Sequence, residues 1–135
     1  MFRYLTLVLL VACVVAIAIN ARSQDGPNNK AVNTNVQVLM REKLTHAQTV
    51  LDGLVTKDFE KIANEAEMMR MIGRAASWQA IDTDEYKVHS DRYARTTSNL
   101  AKAAQSKNLD AVLLQYLQVN ISCVECHHYI REQRR

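Results

Sequence analysis

A chain of 135 residues with a formal charge of +3 is long enough for one ordinary domain and too short for two. Three glycines and one proline, beside plentiful Ala, Leu, Val, Lys, Glu and Gln, argue for helices and against sheet. Basic residues are dispersed except for Arg131, Arg134 and Arg135, so nothing suggests nucleic-acid binding; the basic tail reads as a solvated helix end with at most a weak pull on an acidic partner.

The first segment, residues 1–21, carries an uncharged run at 4–19 behind Arg3, apolar but for Thr6. A cleaved secretory signal fits it, with small-residue sites at Ala16-Ile17-Ala18 or after Ala21. Two alternatives stay open. The run is short of the roughly 20 residues of a comfortable membrane span, but could be kept as an anchor. Leu10-Val11-Ala12-Cys13 resembles a lipoprotein box, although the apolar run continues past Cys13. Each reading carries the domain across a membrane, to a periplasmic or otherwise exported location, and two leave it attached there. Each also assigns Cys13 to targeting, which leaves a single thiol pair downstream. Residues 22–33, polar and containing Gly26-Pro27, read as a flexible tether.

From residue 34 the pattern is helical to the end. The first helix is expected from Thr34 or Asn35 to about Thr56, with an inward seam of Val36, Met40, Leu44, Ala47, Leu51 and Leu54. Asp58 caps a second helix at about 59–77, whose seam is Phe59, Ile62, Ala66, Met69, Gly73 and Ala76. Trp78, in a segment that breaks the period, is expected to pack over the end of the bundle. Asp82 and Glu85 read as a capping box for a third helix ending near Ser106, with Tyr86, Tyr93, Leu100 and Ala104 inward. The fourth runs from about Leu109 to Arg131, its apolar surface supplied by Leu113, Leu117, Val119, Ile121 and Val124. Four amphipathic helices joined by short links predict an all-α, antiparallel up-down-up-down four-helix bundle over residues 34–135.

The last helix carries Cys123-Val124-Glu125-Cys126-His127, the attachment signature of a c-type haem. Each thiol adds across one haem vinyl group, the two-residue spacer lets both reach one porphyrin, and the adjacent imidazole becomes the proximal iron ligand. Three other readings compete. A structural zinc site wants four ligands, and only His128 follows the pair, with His46 and His89 forming no second pair. A thioredoxin-like redox pair belongs at a helix N-terminus after a strand, whereas this pair ends a helical pattern. The thiols could also be inert core residues. For the sixth iron position Met40 and Met69 are the candidates by height along the bundle. Both are also ordinary core fillers. His46, His89 and His128 read as surface or boundary residues.

The haem motif on the last helix of a predicted four-helix bundle, followed four residues later by Arg131, resembles the class II c-type cytochromes, the cytochrome c′ family and its low-spin relatives. The resemblance covers about 35–131. It implies one covalent haem c near the C-terminus, thioether links at Cys123 and Cys126, His127 as proximal ligand and Arg131 near that imidazole. In the low-spin relatives a methionine early in the first helix is the sixth ligand, and Leu39-Met40-Arg41-Glu42-Lys43-Leu44 is similar to that type. The expectation is a non-enzymatic carrier of single electrons with redox-protein partners, and homodimers by analogy with the family. The alternative is a five-coordinate haem protein that binds carbon monoxide or nitric oxide.

Overall fold

The structure is a computed structural model and describes residues 27–77, 81–133 and 135. The apolar run at 4–19, Cys13 and Trp78 lie outside the described residues. Four helices make up the fold: α1 (Pro27–Thr56), α2 (Phe59–Ser77), α3 (Asp84–Gln105) and α4 (Leu109–Glu132). The compact unit comprises Thr34–Arg135; of the preceding unit, Met1–Asn33, the described residues 27–33 are helical. Helix α1 thus opens at Pro27, ahead of the expected Thr34 or Asn35, and the last seven residues of the expected tether belong to it. Proline suits the first turn of a helix, where its missing N–H has no partner to lose. The Asn-rich turns behind it bring no apolar stripe that periodicity could detect.

Two hairpins built the same way organise the bundle. At the first, Lys57 takes a left-handed φ of 56°, its N–H donates to Leu54 O, and the Asp58 N–H donates to Gly53 O at 2.8 Å. At the second, Lys107 has φ 54°, its N–H donates to Ala104 O, and the Asn108 N–H donates to Ala103 O. These are paired Schellman closures, in which one left-handed residue satisfies two orphan carbonyls. The next residue then caps the following helix. Asp58 accepts from the Lys61 N–H and Asn108 from the Ala111 N–H, each at 3.0 Å. The third link differs from expectation. Thr83, not Asp82, caps α3 by accepting from the Tyr86 N–H, so no capping box forms. Asp82 is exposed and pairs with Lys87 at 3.4 Å. Thr83 is additionally held by the Tyr129 hydroxyl at 2.8 Å, a partner that Asp82 lacks.

Cross-contacts fix the directions. Asp52 with Lys61 and His46 with Glu65 run α1 against α2. Thr83 with Tyr129 and Arg92 with Glu125 run α3 against α4. The Tyr116 hydroxyl donates to Ala47 O at 3.2 Å, joining α4 to α1. The α1–α2 and α3–α4 pairs are therefore antiparallel, and so is α1–α4, where Lys43 near Cys123 gives a second level. All four helices feed one core, including Val50 and Leu54, Ile62 and Met69, Leu100, and Val112 with Val119. A side chain of this size, fully buried, contributes about 2 kcal/mol.

The expected inner faces of α2 and α3 hold: Ile62, Ala66, Met69 and Ala76, then Tyr86, Tyr93, Leu100 and Ala104 are buried. Those of α1 and α4 are corrected. Leu44 and Leu51 lie near half exposure, and α1 instead turns Lys43, Ala47, Val50 and Leu54 inward. On α4, Leu113, Leu117, Ile121 and Val124 face outward, and Val112, Val119 and Ser122 are the buried residues. Among the described residues no helix is long and apolar enough to cross a membrane.

Candidate haem site

Helix α4 turns Cys123 and Cys126 toward the other helices, because they follow the buried Val119 and Ser122 on one side of the helix. Both thiols are half-buried and free, and Cys123 packs on the common core. The spacer residue Glu125 pairs with Arg92, which fastens the motif to α3. His127 is exposed. Partial burial, then the charges of Lys43 and Arg131, push its imidazole below the usual value, so it is neutral and able to donate its lone pair.

Lys43, Tyr93 and Gly73 complete the surroundings. The Lys43 ammonium lies over the Tyr93 ring, 4.2 Å from its centre. Burial lowers its pKa against the upward pull of Cys123 and Cys126. No carboxylate among the described residues pairs with it. The Tyr93 hydroxyl is buried without a hydrogen-bond partner, and burial raises its pKa far above that of an ordinary tyrosine. The ring fits against α2 only because residue 73 is glycine: a Cβ there would stand 2.8 Å from Tyr93 Cδ1 and Cε1.

The competing readings of the thiols find little support in this geometry. Burial pushes both thiols up, more than Lys43 pulls them down, which is opposite to the activated thiolate of a redox pair. They lie in the second half of α4, far from its N-terminus. No group of three or more His, Cys, Asp or Glu residues that could hold a metal ion forms among the described residues. His46 is taken up by Glu65, His128 pairs with Glu132 at 3.6 Å, and His89 packs on Tyr129 with ring centres 5.4 Å apart.

The two methionines occupy different levels. The Ala47–Tyr116 contact, continued along antiparallel helices at about 1.5 Å per residue, brings Met40 level with Cys123. Met40 is half-buried. The α1–α2 contacts set Met69 level with Lys43, one turn deeper, where it is 0% exposed within the core. Arg131 is exposed on α4, one turn beyond His127, and close enough to depress its pKa.

The donor set fits a covalently held haem. Two inward thiols, a neutral imidazole one turn beyond Cys123 and a thioether level with Cys123 are the groups that such attachment and ligation would need. A half-buried cation without a carboxylate among the described residues and an orphaned hydroxyl donor suit the negatively charged carboxylates of such a group. Of these residues, the roles of Lys43, Tyr93 and Gly73 went unread in the sequence. The signal for Lys43 was the alternative spacing 43, 47, 50, 54, which a search for apolar residues discards. Comparison of the chain with protein-family models, with curated proteins and with solved structures finds no match.

Proposed function

We propose that this protein is an exported c-type cytochrome of the class II kind, carrying single electrons between redox proteins through one His/Met-ligated haem. The observation that carries the reading is the Cys123-Val124-Glu125-Cys126-His127 motif on the last helix, with both thiols turned inward beside a half-buried Lys43 that pairs with no carboxylate among the described residues. Cys123 and Cys126 would hold the group as thioethers, and His127 and Met40 would be its iron ligands. When bound, the group would supply an iron that gains and loses one electron. Lys43 and the Tyr93 hydroxyl would meet its carboxylates. Arg131 would lie beside the proximal imidazole and keep it unprotonated.

Optical spectra of the protein made in a host that attaches c-type haem test it, taken reduced, with and without carbon monoxide, alongside Met40→Ala. A low-spin spectrum indifferent to carbon monoxide, becoming high-spin and ligand-accessible in Met40→Ala, is expected. A wild type already high-spin and binding carbon monoxide overturns the Met40 assignment in favour of a gas-binding protein. No covalent haem at all, from a host that matures other c-type cytochromes, removes the reading.

A further inference from the structure

Helices α2 and α3 each turn a polar stripe toward the groove between them. On α2 these residues are Arg70 and Arg74, one turn apart. On α3, Asp91, Arg95, Ser98 and Lys102 are spaced four, three and four, which sets them on one side of the helix. The stripes enclose an open hollow of 370 Å³, where the small Ala94 leaves room. Ligand clefts run from roughly 300 to 1,000 Å³ and are mostly apolar. This one is instead lined by four cations, two neutral donors in Ser98 and Asn99, and one carboxylate, Asp91.

Helices α2 and α3 run antiparallel, because α1 opposes both α2 and α4, and α3 opposes α4. Gly73 lies against the Tyr93 ring. At about 1.5 Å per residue, Arg70 therefore stands level with Arg95 across the groove, with Arg74 and Asp91 about a turn to one side and Lys102 beyond them on the other. Arg70 is held by Glu67, which accepts from its Nε at 2.8 Å and from Nη2. Arg95 and Lys102 make no ion pair among the described residues. Cations brought level across a groove repel each other, and an anion between them turns the repulsion into attraction. A carboxylate offers two oxygens in one plane, which a single guanidinium fork satisfies. A phosphate offers three acceptors and up to two charges, so it can take forks from both helices at once. The level of Lys102 is left for a second phosphate joined to the first.

We infer that the α2/α3 groove binds a small anion with two linked phosphate groups, one between the guanidiniums of Arg70 and Arg95 and the next at Lys102. Ser98 and Asn99, whose side chains have no hydrogen-bond partner among the described residues, donate to the remaining oxygens. The site uses no residue of the thiol motif and is independent of the haem reading.

Calorimetric titration of the full chain with inorganic diphosphate, in metal-free buffer at fixed ionic strength, tests it. One diphosphate per chain is expected, with orthophosphate about tenfold weaker. Arg95→Gln and Lys102→Gln should each weaken diphosphate about tenfold while helicity and melting without ligand are kept, since both side chains are exposed. Lys87→Gln, which removes a cation held by Asp82 and Asp84 at the start of α3, should change nothing. No binding, orthophosphate as tight as diphosphate, or equal weakening by Lys87→Gln overturns the proposal. Two further probes name other occupants. Vesicles of phosphatidylcholine with phosphatidic acid that bind through Arg95 while free diphosphate does not would overturn it in favour of a lipid surface. Polyglutamate that binds through Arg95 more tightly than diphosphate would overturn it in favour of an acidic protein.

Discussion

The ammonium of Lys43 stands 4.2 Å from the centre of the Tyr93 ring, so the interior beside the thiol pair holds a cation on an aromatic face. The arrangement recovers part of the cost of burying the charge, about 1 kcal/mol by cation–π attraction, and leaves the rest unmet. In haem-free protein Lys43→Met, similar in length and apolar, should therefore raise stability by about 1 kcal/mol. If haem is bound as proposed, Lys43 would have a carboxylate to meet, and the same change should lower it. Urea unfolding of both forms reads the reversal; stabilisation in both removes Lys43 from the haem's surroundings.

Tyr93→Phe keeps the ring under Lys43 and deletes a hydroxyl that has no partner. A gain of about 1 kcal/mol at pH 7 follows for haem-free protein. The gain should grow with alkalinity. Burial raises the Tyr93 pKa, so above pH ~10 the unfolded chain gives up this proton while the folded one keeps it, and wild-type stability falls as pH rises. Phenylalanine has no proton to lose. Denaturant midpoints of the pair at pH 7 and above 10 should diverge; parallel profiles would mean that the hydroxyl reaches water.

Gly73→Ala tests the fit of α2 to that ring. Alanine gains about 1 kcal/mol of helix propensity over glycine, but its Cβ would stand 2.8 Å from two ring carbons of Tyr93. Displacing a packed aromatic ring costs about 1–3 kcal/mol. The variant should be less stable by about 1 kcal/mol, and its near-ultraviolet circular dichroism should change as the tyrosine moves. A more stable variant with an unchanged spectrum would show that the helices part freely there.

Lys57 and Lys107 hold left-handed conformations at φ 56° and 54° that cost a side-chain-bearing residue about 1 kcal/mol each. Lys57→Gly and Lys107→Gly should each raise the urea midpoint, additively, since the two turns belong to separate hairpins. Asp58→Ala and Asn108→Ala should each lower it by about 1 kcal/mol through loss of the cap. Destabilisation by either glycine would place the lysine side chains in contacts that offset their strain.

Much of this was legible in the sequence, and unevenly so. Helices α2 and α3 have one apolar stripe each, so spacing alone names Ile62, Met69, Tyr93 and Leu100 as core. Helix α1 has two stripes sharing Ala47 and Leu54, and the buried one begins with a lysine, so apolar pattern favours the wrong one. Helix α4 is apolar on both sides, and no period can say which side a neighbour covers. The motif itself is legible because its spacing is chemical. The residues that surround it come from three other helices and are brought together only by packing.

The twin hairpins bear on the order in which the molecule assembles. Each closes through contacts local in sequence, which form fast, while meeting of the two halves is the long-range step. Lys43 and Gly73 sit on the first hairpin, Tyr93 and both thiols on the second. On that order the cysteines would be fully open to a modifying machinery until the halves meet, and docking would narrow access to the half-buried thiols. As a hypothesis this has a direct readout: in refolding haem-free protein, thiol labelling should outlast the rise in helical signal. Thiols shielded as early as helix forms would instead mean that the halves close together, leaving attachment to a chain not yet helical.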